Sequence, residues 1–62
     1  MQSLTYQVTA RFDNSYEIVG PDETTDRIEA FRLAAIHFNA GRDVRIHQLR
    51  GNGSTVVHEA TH

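Results

Sequence analysis

The chain has 62 residues, no cysteine and a formal net charge of −2. That length makes one domain, 1–62, which buries only about 60% of the surface its unfolded chain exposes, and with disulfides excluded it needs idealised packing, a histidine-held metal or association for support. The acidic balance argues against a dedicated nucleic-acid binder, and no apolar run approaches the roughly 20 residues that span a bilayer, so a cytoplasmic protein is expected.

Leu4 to Phe12 alternates strictly, with Leu4, Tyr6, Val8, Ala10 and Phe12 on one face and Thr5, Gln7, Thr9 and Arg11 on the other, which is the pattern of a half-buried strand. Asp13-Asn14 tolerates the left-handed conformations of a tight turn, and SYEIV resumes a strand in which Tyr16 and Ile18 are expected to face inward. Gly20-Pro21 then breaks the hairpin.

A helix is expected to begin between Asp22 and Thr25, where Asp22, Glu23 and Asp26 suit the positive end of a helix dipole, and to run to about Asn39 with Gly41 as its left-handed stop. At about 100° per residue, Ile28, Phe31, Ala34, Ala35 and Phe38 form one stripe, the expected cover of the sheet. Leu33, Ile36 and Ala40 fall on the opposite side beside Glu29.

VRIHQL and STVVHEA are strand-like and joined by RGNG, a hairpin signal. A turn at Asn52-Gly53 would pair His47 with His58, two imidazoles that with a third group could hold zinc. A three-residue loop at Gly51–Gly53 would pair Arg45 with Glu59 and Val44 with Ala60, and is favoured because it satisfies a charge and packs the core. The fold expectation is α+β, ββαββ, with one helix on an antiparallel sheet of two hairpins, strand order open. The expected core is Leu4, Tyr6, Val8, Phe12, Ile18, Ile28, Phe31, Ala35, Phe38, Val44 and Ile46.

The chain ends in HEATH, residues 58 to 62, which spells the H-E-x-x-H of zinc proteases. That motif needs a helix to bring two histidines within about 6 Å along the axis, whereas a strand separates them by about 13 Å. The β-branched context makes it a solvated strand end, and no metal or other cofactor is expected. Catalysis has no cysteine nucleophile or phosphate loop to rest on, since RGNGS lacks the strand, helix and Lys such a loop requires.

All six basic residues are Arg and none is Lys, the signature of GC-rich coding or of selection for planar, bidentate contacts. In a short chain without a catalytic pattern, this bias resembles the small accessory proteins of actinobacterial phages, which implies a host protein as a possible partner.

The expected function is therefore a non-enzymatic protein-interaction module. It would use Leu33, Ile36, Ala40 and Glu29, either in a homodimer packed helix to helix or against a host protein. The alternative is a nucleic-acid-binding regulator that presents Arg11, Arg45, His47 and Arg50 on a solvated sheet face beside Thr5, Gln7 and Thr9.

Overall fold

The computed structural model describes residues 4–62. Strand β1 (Thr5–Phe12) turns at Asp13-Asn14 into β2 (Ser15–Ile18), α1 (Arg27–Asn39) follows, and β3 (Val44–Arg50) and β4 (Gly53–Ala60) close the chain. The four strands form one antiparallel sheet in the order β2-β1-β3-β4, with α1 over the two central strands. This is the expected α+β, ββαββ fold, with the open question of strand order answered: β1 and β3 meet at the centre and β2 and β4 lie at the edges.

Asp13 takes a φ of 57° in the first turn, which an aspartate tolerates. The two-residue connection sets Phe12 opposite Ser15 and Arg11 opposite Tyr16. Directly opposed residues share a face, so Tyr16 and Ile18 lie with Arg11 and Thr9 on the side away from α1, not inward as expected. Ser15 and Glu17 share the helix side, and Val19, whose N–H donates to the Val8 carbonyl at 3.0 Å, enters the core. A turn that sets the register also sets the faces, and it outweighs the apolar pattern of a four-residue edge strand.

The helix starts later than expected because Thr24 is engaged with β1. Its N–H donates to the Tyr6 carbonyl at 2.9 Å and its carbonyl accepts from the Tyr6 N–H at 2.8 Å. Asp26 is then the N-cap, its Oδ1 accepting from the backbone N–H groups of Ile28 and Glu29 at 3.0 and 3.2 Å. Gly41, at φ 94°, ends the helix as expected, with its N–H donating to the Phe38 carbonyl at 3.0 Å.

The face that α1 buries lies between the two stripes drawn from the sequence. Ala30 and Ala34 are buried, Phe31 and Phe38 flank them on one side and Leu33 on the other, all packed on the core of Tyr6, Val8, Ala10, Val19, Val44 and Ile46. Small alanines at the centre let the helix approach the sheet closely, so larger neighbours on both flanks reach down to it. Leu4, Ile18, Ile28 and Ala35 are exposed rather than core residues, and Phe12, Phe31 and Phe38 are only half-buried.

The second hairpin combines two registers. Val44 pairs with Ala60 and Arg45 with Glu59, as favoured, but Arg50 pairs with Gly53 across a two-residue turn of Gly51-Asn52. An irregularity at Ile46/His47 reconciles them: Ile46 faces His58, His47 faces Val56, and Val57 is left over as a bulge. The turn sits at Gly51 because that residue takes the positive φ, 55°.

Candidate functional site: the β4 edge and its apolar cleft

A helix is about 10 Å across and strands are spaced about 4.8 Å, so one helix covers two strands of this sheet. The covered pair is β1 and β3. β4 lies outside that cover, and every residue from Gly53 to Glu59 is exposed, Val56 and Val57 by nearly half. Its outer edge has neither Lys nor Pro, two residues that commonly block unpaired strands.

Between β4 and α1 runs a cleft of about 310 Å³ lined by Phe31, Ala34, Ala35, Phe38, Val44, His58 and Ala60. His58 lines it, and both histidines of HEATH lie against rings of the helix. His58 lies on Phe31 with ring centroids 5.1 Å apart, and His62 stacks on Phe38 at 4.2 Å with the planes 10° apart. Because a carbonyl only accepts, His62 Nε2 carries the proton it shares with the Phe38 oxygen at 3.0 Å, and the His62 backbone N–H donates to Asp43 Oδ1 at 2.9 Å. Four residues of extended chain cover about 13 Å and seven residues of helix about 10.5 Å, so the His spacing nearly matches the Phe31–Phe38 spacing. HEATH is thus an exposed strand end whose two histidine rings also clamp it onto the helix.

The histidine pairing that would have favoured zinc is not formed, since His47 lies opposite Val56 and His58 opposite Ile46. Among the described residues, no three His, Asp or Glu side chains gather as metal ligands. His37 lies edge-on to Phe12 at 6.5 Å, and its Nδ1 is buried without a hydrogen-bond partner among the described residues.

On the side away from α1, the pairing brings Arg11, Arg45 and His47 together with Thr5, Gln7 and Thr9. Arg50 is not among them: it has the opposite facing, beside the Gly51-Asn52 turn. The two arginines on this face are engaged. Arg45 lies over the Tyr16 ring at 4.0 Å and bonds Glu59 at 2.6 Å, the contact that chiefly raises its pKa, and Arg11 meets Asp43 at 3.7 Å and donates to the Asp13 carbonyl at 2.9 Å. Thr9, although on the open side, is buried and lies 3.2 Å from His47 Nε2. Burial and, secondarily, the Arg45 charge lower the His47 pKa.

Of the helix set, Leu33 packs on the core, Glu29 pairs with Arg32 at 3.5 Å, Ile36 is exposed, and exposed Ala40 is the C-cap. The large exposed aliphatics of α1 are Ile28 and Ile36. Sequence reasoning missed the β4 edge, although one signal was present: the adjacent Val56-Val57 interrupts strand alternation and marks the bulge. Comparison with protein-family models, curated proteins and solved structures gives no match. No helix among the described residues is long and apolar enough to cross a membrane.

Proposed function

We propose that this chain is a small, non-enzymatic protein-interaction module that works by strand addition at the β4 edge. The exposed length of β4, whose outer edge pairs with no strand among the described residues, beside an apolar cleft carries this reading. A row of free backbone N–H and C=O groups is complementary to another extended backbone, which supplies the hydrogen bonds while alternate side chains reach the cleft. A host protein offering such a strand, or another copy of this chain, fits that chemistry.

The nucleic-acid alternative keeps one supporting feature, the shared face of Arg11, Arg45 and His47. The carboxylates on Arg11 and Arg45 compete with phosphate, and the net charge is negative.

Val56→Lys places a charge on the open edge without touching the core. It should abolish association or partner capture while leaving the fold, read by circular dichroism, unchanged. The pair Ile28→Glu and Ile36→Glu should leave association intact. If contact survives Val56→Lys and is lost in the helix pair, the surface is the outer side of α1 and the strand-addition reading is wrong.

A further inference from the structure

We infer that the strand added at this edge is β4 of a second copy, antiparallel about a two-fold axis through Val56, so that two four-stranded sheets become one. This rests on the reading of β4 as the contact surface and adds the identity and register of the partner.

The bulge carries the argument. A two-fold axis perpendicular to a sheet sets one residue opposite its own copy, so a regular strand pairs with itself over its whole length only with an odd number of positions. Opposed residues must also share a face. β4 has eight residues, an even number, but Val57 is omitted from the ladder, and the remaining seven face the seven residues of β3 with Val56, opposite His47, at the centre.

About that centre Val56 meets itself, Thr55 meets His58, Ser54 meets Glu59 and Gly53 meets Ala60. Every pair shares a face. Thr55, His58, Gly53 and Ala60 oppose Gln48, Ile46, Arg50 and Val44 on the helix side, while Ser54 and Glu59 oppose Leu49 and Arg45 on the other. No like charges are opposed, and the axial Val56, 47% exposed in one copy, gains an apolar partner. Centring the axis on His58 instead would set two imidazoles against each other and leave the far end of each strand unpaired.

The area is sufficient. Seven positions extend about 24 Å, and a contact about 20 Å deep, from the helix layer to the opposite side chains, buries roughly 500 Å² per copy, about 1,000 Å² in all, the threshold of a specific interface. The half-buried rings of Phe31 and Phe38 in both copies border the new central strand pair, where neither copy has a helix of its own.

With no native cysteine, Val56→Cys places a single thiol on the axis, within disulfide reach of its mate. Mild oxidation of this variant should give a covalent dimer at twice 7.0 kDa, whereas Ile36→Cys on the outer side of α1 should stay at single mass. Sedimentation of the unmodified chain from micromolar to millimolar concentration should show a reversible dimer that Val56→Lys removes. A chain that stays monomeric at millimolar concentration overturns the second-copy inference. So does a dimer whose Val56→Cys form fails to cross-link, or one that cross-links through Ile36→Cys instead. Strand addition itself survives the monomeric outcome if a synthetic GSTVVHEA peptide shifts the β4 amide resonances, and fails with it if the peptide does not.

Discussion

His47 contributes a defined pH dependence. Burial first and the Arg45 charge second lower its pKa below 6.5, the unfolded value. The unfolded chain therefore takes up this proton at a higher pH than the folded one. The stability associated with neutral His47 is fully present above pH 6.5 and is lost as the pH falls from there through its folded pKa. His47→Gln should flatten that part of a melting-temperature profile recorded from about pH 8 to pH 5; an unchanged slope would assign it to other groups. His62 is the second residue with a clear expectation. His62→Ala removes a stacked ring pair and a hydrogen bond to the end of α1, and should cost about 0.5–1.5 kcal/mol, read as a lower urea midpoint. No loss of stability would show that the clamp contributes nothing.

At the scale of elements, the entry to α1 depends on Gly20, which takes φ 76° and whose added Cβ would collide with the Leu33 side chain. Gly41 also has a positive φ, 94°, but open space where a Cβ would go. Gly20→Ala should thus cost about 1–3 kcal/mol and more than Gly41→Ala, for which backbone strain of about 1–2 kcal/mol acts alone. Chemical denaturation of the two variants compares them directly, and equal losses would mean that Leu33 moves aside freely. The helix itself was legible through its acidic approach and Gly41 stop, although it was expected to begin between Asp22 and Thr25 and begins at Arg27. Its buried face was legible at Ala34, which the expected stripe contained, but not at Ala30, because alanine carries too little apolar weight in a periodicity to show which of its positions lie nearest the sheet.

For the whole molecule, the fully buried large side chains are Ile46 and Val44, and a domain of this size has roughly 3–9 kcal/mol of stability in all. Ile46→Ala should cost about 2–5 kcal/mol and unfold a large share of the chain. Phe31→Ala, at a half-buried position, should cost about half as much and leave a folded protein. The opposite ranking, measured by thermal melts, would mean that the cleft rather than the sheet centre holds the fold. The proposed association through β4 would couple folding to concentration, so the melting temperature should then rise with protein concentration in the native chain and not in Val56→Lys.

Strand alternation in residues 4–12, two turn signals and a capped helix determined the element order and the antiparallel pairing within each hairpin, because these are local preferences of the backbone. The favoured Arg45–Glu59 pairing was also legible, since charge and core packing pointed to one register there. The tertiary structure alone decided the meeting of β1 with β3, the outward turn of Tyr16 and Ile18, the placing of Arg50 away from Arg11 and Arg45, and the clamp of HEATH on Phe31 and Phe38. Each depends on contacts between residues far apart in the chain, whose energies no local pattern carries. The register of β4 belongs with them: Val56-Val57 marks a break in alternation, but only the fit of seven positions to β3 sets Val57 outside the ladder and Val56 at its centre.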